Sequence, residues 1–329
     1  MKPLLTIAEW VRKQYQTIII IAVVLGLVLG IWTAAPGKFL QNYSQVLTFL
    51  MIFFISLTIT PKQFVTVRRQ PMAVLSGLLL NFAFMPLLCW ALARIFVSDS
   101  QLAVGVILVG VVPCAGMAAV WTALLKGDVP LGMAINALTM VLAPFLIPPL
   151  MILLAGSAVK INPWGMFQQL AIILLIPLAL GIFIRWWVDR HWDVKTYLPI
   201  LPASSALTAV LLMFAICNVN VTLIIAQWQK VPALLIALLL IFPLGFLIPF
   251  WLSRSAKWGT RIAITFSSGM KNLPIAVGLA FASFSKIVGL PVALAMILQM
   301  LTASVFYRFL NKQEERRALA QVSSNSGSE

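Results

Sequence analysis

The stretch Thr265-Phe266-Ser267-Ser268-Gly269-Met270-Lys271-Asn272-Leu273-Pro274 places one lysine inside a long apolar run. Gly269 and Pro274 flank the lysine. A helix that crosses this run is expected to break there, because proline removes a backbone donor and glycine permits unusual dihedral angles. If the run spans a bilayer, the Lys271 ammonium lies about 16 Å along the helix from Arg261. A charge at that depth is costly and is by default a functional-site hypothesis.

The composition indicates that most of the chain lies in lipid and not in water. Of its 329 residues, 62% are hydrophobic and only 9% are charged, which is far more apolar than a water-soluble domain of this length. Backbone groups in lipid must be satisfied within helices or closed barrels, and the apolar runs here are continuous rather than alternating. The sequence therefore predicts an all-α polytopic membrane protein whose main partner is the lipid bilayer.

Each apolar run of about 20 residues is taken as one transmembrane span. The ten predicted spans cover residues 17–33, 44–60, 71–97, 101–125, 129–156, 164–184, 199–226, 231–252, 260–283 and 289–308. Most Lys and Arg residues fall in alternate loops and at the termini, while the other loops hold Lys38, Lys160, Lys230 and Lys286. By the positive-inside rule, both termini are expected in the cytoplasm, with the chain in the plasma (inner) membrane.

The formal net charge of +15 is explained by this topology and by contact with anionic lipid headgroups. Nucleic acid is therefore not an expected partner, and no protein partner is evident. The polar residues 311–329 are expected to form a disordered cytoplasmic tail.

A second interruption is expected in the fourth span, at Val112-Pro113-Cys114-Ala115-Gly116-Met117. Like the break at Gly269 and Pro274, it joins Gly-Met to a nearby proline and to small or polar residues. Both breaks occupy the fourth position of a set of five spans, and because five is odd the second set must run in the opposite orientation. The sequence thus predicts two inverted five-helix repeats, residues 1–156 and 157–310. Paired discontinuous helices of this kind form substrate sites near the membrane midplane, although glycine and proline also serve helix packing.

The acidic residues are all expected in loops or tails, so no carboxylate is expected inside the membrane. The three cysteines lack the spacing of a metal site, and the chain offers no paired carboxylates. We therefore expect neither an enzyme nor a cofactor or resident metal. A buried Lys271 ammonium without an acidic partner must lose its proton, find polar backbone and water, or be neutralised by a transient anion. Snorkelling to an interface is the structural alternative.

The candidate substrate and coupling residues are the polar side chains expected around the two breaks. They are Lys271, Asn272, Cys114, Asn136, Ser267, Ser268 and Thr139. Asn81, Gln299 and Thr302 are weaker candidates, since a single intramembrane polar residue more often serves packing.

The chain resembles the bile acid/sodium symporter superfamily over its whole ten-span core. The segment from Pro113-Cys114-Ala115-Gly116-Met117 to Lys126-Gly127-Asp128, with Asn136 and Ala143-Pro144, resembles the fourth and fifth helices of that superfamily, and Gly269-Met270-Lys271-Asn272 resembles the ninth. The resemblance implies a panel domain and a core domain, with broken helices four and nine crossing at the substrate cavity. It also implies transport by alternating access.

Sodium-coupled members carry hydroxyl, amide and carboxylate ligands at positions that hold other residues here. By this resemblance the positions correspond to Ala118, Ala119, Gly132, Asn136, Ser267 and Lys271. Because a hard cation needs several oxygen donors, the sodium site is expected to be degraded. The Lys271 charge would then stand where a sodium ion otherwise sits, and the coupling ion is expected to be a proton.

Pro113-Cys114 with Asn136 resembles the arsenite-efflux permease branch, in which a thiolate would suit trivalent arsenic. The leading expectation is therefore proton-coupled efflux of arsenite or a related small solute. The alternative is uptake of an organic anion, such as a bile-acid-like or pantoate-like carboxylate, either coupled to sodium or with Lys271 in place of the sodium charge. An uncoupled channel or membrane sensor is the third possibility.

Overall fold

The computed structural model describes residues 2–59, 61–156, 162–191 and 200–326, and most of these residues are helical. The first half contains helices α1 (Lys2–Lys13), α2 (Tyr15–Trp32), α3 (Ala35–Asn42), α4 (Ser44–Ser56), α5 (Pro61–Arg69), α6 (Pro71–Leu79), α7 (Met85–Phe96), α8 (Ser100–Val111), α9 (Met117–Leu124) and α10 (Val129–Ala155). The second half contains α11 (Pro163–Leu170), α12 (Ile176–His191), α13 (Ile200–Ala226), α14 (Val231–Leu252), α15 (Trp258–Gly269), α16 (Leu273–Ser283) and α17 (Gly289–Ser326). Short π-helical turns, Leu80–Phe84 and Ala171–Leu175, join α6 to α7 and α11 to α12, and a 3₁₀ turn, Lys286–Val288, precedes α17.

Several helical segments are long and apolar enough to cross a membrane, which confirms the all-helical membrane class. Within the described residues there are six: Pro71–Phe96, Val129–Ala155, Pro163–His191, Ile200–Ala226, Val231–Leu252 and Lys286–Glu314. A bent pair, Thr17–Trp32 with Ala35–Asn42, makes up to seven. The other predicted spans coincide with shorter or interrupted helices, namely α4, α8 with α9, and α15 with α16. The count of ten spans therefore stays a prediction.

The structure differs from the sequence expectations at several helix ends. The helix expected over residues 44–60 ends at Ser56 in α4, and the short helices α1, α3 and α5 lie outside the predicted spans. Residues 311–326, expected to be disordered, continue α17 as a helix. Their composition explains the difference, because the Gln-Glu-Glu-Arg-Arg-Ala-Leu-Ala-Gln segment is rich in strong helix formers.

The helices pack as two groups. The first group is α1–α4, α12 and α13, in which α13 packs against α1, α2, α3 and α4, and α12 packs against α4. The second group is α6–α10, α14, α15 and α17, in which α7 packs against α8 and α14, and α15 against α9, α10 and α14. Helix α16 packs against α4 and α13 of the first group and against α8 and α17 of the second. Helix α13 also packs directly against α17, so the two groups meet both through α16 and at this direct contact.

Loop carboxylates cap helices rather than entering the apolar interior. Asp99 accepts hydrogen bonds from the backbone N–H groups of Gln101 and Leu102 at the start of α8. Asp128 accepts one from Leu131 at the start of α10. Both contacts satisfy donors that the first turn of a helix leaves unpaired, and a negative charge is favoured there by the helix dipole.

Asn218 of α13 holds the sharp bend between α2 and α3. Its Oδ1 accepts the Gly37 N–H at 2.9 Å, and its Nδ2 donates to the carbonyls of Gly26 and Thr33 at 3.2 and 3.1 Å. The two helical segments meet at 118°. The bend interrupts the helical hydrogen bonds, and the Asn218 amide, together with Thr33 Oγ1, which accepts the Ala35 N–H, supplies partners for the backbone groups there.

Candidate functional site

The two predicted breaks lie against each other. Helix α8 ends at Val111 and α9 begins at Met117, while α15 ends at Gly269 and α16 begins at Leu273. Between them the backbone is extended, and Cys114 and Lys271 form an isolated antiparallel bridge. Ala115 N–H donates to the Met270 carbonyl at 2.9 Å, and Asn272 N–H donates to the Pro113 carbonyl at 2.8 Å. The two breaks thus satisfy part of each other's backbone in the interior of the protein.

Side chains of the following helices bind the central residue of each break. Thr139 Oγ1 accepts the Cys114 N–H at 3.2 Å, and Asn136 Nδ2 donates to the Cys114 carbonyl at 3.1 Å. Gln299 binds both backbone groups of Lys271. Its Oε1 accepts the Lys271 N–H at 2.8 Å, and its Nε2 donates to the Lys271 carbonyl at 3.0 Å. Asn136 and Thr139 come from α10 and Gln299 from α17, so each broken helix pair is clamped by the next long helix in the chain.

The Lys271 side chain is fully buried and ends on a single asparagine. Its Nζ donates to the Asn81 side-chain Oδ1 at 2.9 Å and to the Asn81 carbonyl at 3.1 Å. The Phe82 ring centroid lies 6.0 Å from the same nitrogen, near the limit of a cation–π contact. In the part of the chain that the structure describes, no carboxylate forms an ion pair with Lys271. Two neutral oxygens therefore hold this ammonium.

The π turn explains why the Asn81 carbonyl is available. In an α-helix this carbonyl would accept the Met85 N–H, but Met85 donates to Leu80 instead. The next residue, Pro86, has no N–H to offer. The helix therefore leaves the Asn81 carbonyl without a backbone donor, and Lys271 supplies the missing hydrogen bond. Asn81 Nδ2 in turn donates to the Ser267 carbonyl at 3.0 Å, which ties the π turn to α15.

The remaining candidate residues have separate surroundings. Ser268 Oγ donates to the Ile264 carbonyl within its own helix, so this hydroxyl does not face a cavity. Ser267 Oγ is buried and has no hydrogen-bond partner. It faces α10 at Gly132, where an added Cβ would lie 3.8 Å from it. Cys114 is fully buried, and its Sγ donates to the Ala115 carbonyl at 3.4 Å.

A central cavity of about 100 Å³ lies beside the crossing, between the two helix groups. Asn272, Pro274, Gly116 and Lys271 border it on the side of the crossing. The rest of its wall is mainly apolar and rich in methionine, with Met51, Met117, Met140, Met296 and Met300 among the lining residues. Methionine packs adaptably, so such a wall fits solutes with an apolar body.

The cavity brings together only part of the predicted set. Lys271 and Asn272 border it, whereas Cys114, Asn136, Thr139, Ser267 and Ser268 do not. Two residues that sequence reasoning ranked low, Asn81 and Gln299, make the direct contacts to Lys271. In a regular α-helix Pro86 would leave the carbonyl of Phe82 without a donor, so the sequence signal for Asn81 is only its polarity in an apolar span near a proline. Gln299 offers only its isolated polarity in an apolar helix.

Comparison with known proteins supports the superfamily suggested by the breaks. The sequence profile of the Sodium Bile acid symporter family matches residues 45–227. The chain is 25% identical over 300 residues to the sodium-dependent transporter YocS of Bacillus subtilis, covering 91% of this chain and 92% of that protein. It is 26% identical over 308 residues to the probable chloroplastic sodium/metabolite cotransporter BASS2 of Oryza sativa, covering 91% of this chain and 72% of that protein.

The family profile covers more than half of the chain, and it includes α8, the first break and α10. Its members are transporters, which confirms the expectation of a transport protein rather than an enzyme. The arsenite branch is not singled out by these relatives. This chain, which is all-helical with two crossing breaks beside a cavity, therefore belongs to the Sodium Bile acid symporter family.

Proposed function

We propose that this protein is a proton-coupled secondary transporter that moves a small organic anion by alternating access. The observation that carries the proposal is the fully buried Lys271, held by the neutral oxygens of Asn81 at the crossing that borders the cavity. A solute in the cavity would lie close to this charge, and a movement of the helix groups would change its contacts with Asn81. The family profile covers Asn81 and the first break, whereas Lys271 lies beyond its last matched residue, 227.

In the proposed architecture the chain crosses the plasma (inner) membrane ten times, as two inverted five-helix repeats. Both termini lie in the cytoplasm. The matching clamps support the repeat: α10 binds the backbone of Cys114, and α17 binds the backbone of Lys271. The distribution of Lys and Arg supports the orientation. In this arrangement the central cavity extends toward the cytoplasmic side, where Tyr15 and Pro202 line it.

The residues at the expected cation positions do not fit sodium. Ala118, Ala119 and Gly132 have no side-chain oxygen, and the Nδ2 of Asn136 donates to the Cys114 carbonyl, which leaves its Oδ1 as one amide oxygen. With the Ser267 hydroxyl this makes two side-chain oxygens, which fall short of the several oxygen donors that a hard cation needs. The nearby Lys271 ammonium would repel a second cation.

Lys271 supplies a different coupling step. A buried ammonium without a carboxylate partner is held at considerable cost, and the neutral amine still has two acceptor oxygens within reach. When the cavity admits water, the ammonium passes a proton to it and becomes neutral. The uncharged and charged forms bind Asn81 with different strength, so protonation biases the contact between the crossing and the π turn.

The solute class follows from the cavity rather than from Cys114. The wall combines adaptable methionines with the polar Asn272 and the backbone of the crossing, which suits an organic solute with one anionic or polar end. Arsenite remains the second candidate because Cys114 lies at the crossing. The Cys114 thiol, however, is buried and does not line the cavity.

Proteoliposomes test the proposal with three probes: labelled taurocholate, labelled pantoate, and arsenite measured by elemental analysis. We expect uptake of an organic anion that follows an imposed pH gradient and does not change when sodium replaces choline. Lys271→Gln should abolish the response to the pH gradient. Lys257→Gln, which changes an exposed lysine at the N-cap of α15, should keep that response. Sodium-driven uptake, or an arsenite flux that Cys114→Ser removes, would overturn the proposal. Flux that follows no gradient would instead indicate an uncoupled channel.

A further inference from the structure

A polar groove of about 640 Å³ lies between the first helix group and α16, at the other end of α16 from the central cavity. Its walls come from α3 and α4 on one side and from α16 and the 3₁₀ turn on the other. The lining residues are Lys38, Gln41, Asn42, Ser44, Gln45, Phe281, Ala282 and Lys286. The two lysines thus stand on opposite walls, and no lining residue is acidic.

Both lysines are exposed and available to a ligand. Within the described residues, neither Lys38 nor Lys286 forms an ion pair, whereas Lys230 on the same face is bound to Asp99. Ammonium groups on facing walls raise the local concentration of anions in a groove, because their fields add between walls of low dielectric constant. The amide and hydroxyl side chains beside them supply hydrogen-bond donors to a carboxylate or sulfonate.

The groove and the central cavity are bordered by the same two helices. On α4, Ser44 lines the groove and Ile52 lines the cavity, and on α16, Ala282 lines the groove and Pro274 lines the cavity. On each helix the two lining residues are eight positions apart, about two turns or 12 Å, so both spaces lie along the same interface between α4 and α16, with one layer of contacts at the midpoint.

Thr48 and Gly278 form that layer. Both are buried, and a Cβ added to Gly278 would lie 2.8 Å from Thr48 Oγ1. Real Cβ atoms do not approach so closely, so only glycine lets α16 pack against α4 here without displacement. This layer separates the groove from the cavity, and the cavity extends in the opposite direction, toward Tyr15 and Pro202.

We propose that the groove is the second mouth of the transport path, that it binds small organic anions between Lys38 and Lys286, and that the Thr48–Gly278 layer closes it. The inference rests on the proposed function in taking the central cavity as the solute site. The proposed class is an organic carboxylate or sulfonate whose apolar part contacts Phe281.

The anion preference is tested without any transport assay. The native cysteines are buried, so a cysteine introduced by Ala282→Cys reports on the groove alone. In nanodiscs we compare its rates of reaction with a sulfonate-bearing and a trimethylammonium-bearing methanethiosulfonate. Replacing Lys38 and Lys286 by Gln should lower the sulfonate-to-ammonium rate ratio about tenfold, as expected for electrostatic steering. Replacing Lys257 and Lys312 by Gln makes the same change in net charge elsewhere and should leave the ratio unchanged.

The closing layer is tested in intact cells with the sulfonate reagent, which does not cross membranes. Ala282→Cys should react, which establishes that the groove faces outward. Ile52→Cys should be protected, and adding Gly278→Val should expose it, while adding Ala282→Val should not. Each variant is first checked for a monodisperse elution profile. If the lysine replacements leave the rate ratio unchanged, or if Ile52→Cys reacts equally with and without Gly278→Val, the inference is wrong. Neither result depends on proton coupling, so the proposed function stands or falls separately.

Discussion

Lys271 Nζ lies 2.9 Å from Asn81 Oδ1 and 3.1 Å from the Asn81 carbonyl, so one residue provides both hydrogen-bond acceptors of a fully buried ammonium. The contact joins the break before α16 to the π turn between α6 and α7. The two residues are 190 positions apart in the sequence. The pair therefore links the interrupted helix to a span of the other predicted repeat.

Asn81→Leu should destabilise the protein more than Lys271→Met. The first change removes the side-chain acceptor of a buried ammonium and leaves it only the backbone carbonyl of residue 81, and an unsatisfied buried group costs more than about 1–3 kcal/mol when it is charged. The second leaves neutral groups unpaired, at about 1–3 kcal/mol. Thermal unfolding of the purified variants in detergent gives the order, and the double variant should recover part of the loss.

Asn220→Leu is the matched control for Asn81→Leu. Asn220 is also buried, but its amide donates to the Ile216 carbonyl within the same helix. We expect a smaller loss, since no charge depends on it. Equal midpoints for Asn81→Leu and the wild type would contradict the role given to the pair.

Gln299→Leu should loosen the crossing and expose Cys114. The change removes the acceptor of the Lys271 N–H, and an orphaned buried donor costs about 1–3 kcal/mol. The Lys271 carbonyl keeps a second donor, the Leu273 N–H at 2.9 Å, so the loss concerns mainly the N–H. Mass spectrometry after treatment with N-ethylmaleimide should show faster modification of Cys114.

Thr139→Val should have a related effect, because Thr139 Oγ1 accepts the Cys114 N–H. Cys217 is buried in α13 and serves as the internal control in the same sample, with Cys89 as a third buried thiol. Uniformly faster modification of all three cysteines would indicate general unfolding and would argue against a specific clamp. Gln45→Leu, on the surface of α4, should leave all three rates unchanged.

The fold class and the position of the breaks were predictable because their signals are local. Continuous apolar runs predict helices in lipid, and a proline beside Gly-Met predicts an interruption wherever the chain folds. The contact between Cys114 and Lys271 was expected from the family resemblance, since nothing in either segment specifies its partner. The short helices α1 and α3 escaped the span analysis because they are too short to cross a bilayer.

The partners of Lys271 were harder to predict because they depend on tertiary packing. Asn81 becomes an acceptor only when the π turn leaves its carbonyl without a donor, and Gln299 becomes a clamp only when α17 passes the break. Polarity singled out Ser268, yet its hydroxyl is satisfied within its own helix. A polar residue in an apolar span therefore marks a place to look, and its geometry decides whether it serves the site.

Sodium should not stabilise the wild-type protein. A ligand that binds the folded state raises its stability by about 2.7 kcal/mol at a concentration one hundred times its dissociation constant. Because the expected cation positions offer few oxygens and lie near an ammonium, we expect equal unfolding midpoints in sodium chloride and choline chloride. A midpoint that rises with sodium at constant ionic strength would show a sodium site.

Acid should weaken the contact between Asp99 and Lys230, which joins the start of α8 to the residue before α14 at 2.7 Å. Burial on its own raises the pKa of the Asp99 carboxyl. The Lys230 ammonium and the N–H groups of Gln101 and Leu102 outweigh that effect, so the pKa is lower than usual. A lowered folded-state pKa contributes stability above the unfolded value of about 3.9, and the contribution is lost as the pH falls through the folded value.

Asp99→Asn separates this charge effect from helix capping, because asparagine is an equally good N-cap. The wild type should lose its advantage over the variant as the pH falls below about 4, the range set by the ordinary aspartate pKa. At neutral pH the advantage should be small, since the Lys230 side chain is 41% exposed and the pair is screened by solvent. Unfolding midpoints measured from pH 7 to pH 3 would give two converging curves. Parallel curves would mean that Asp99 acts only as a cap and that its ion pair adds nothing to the stability of this face.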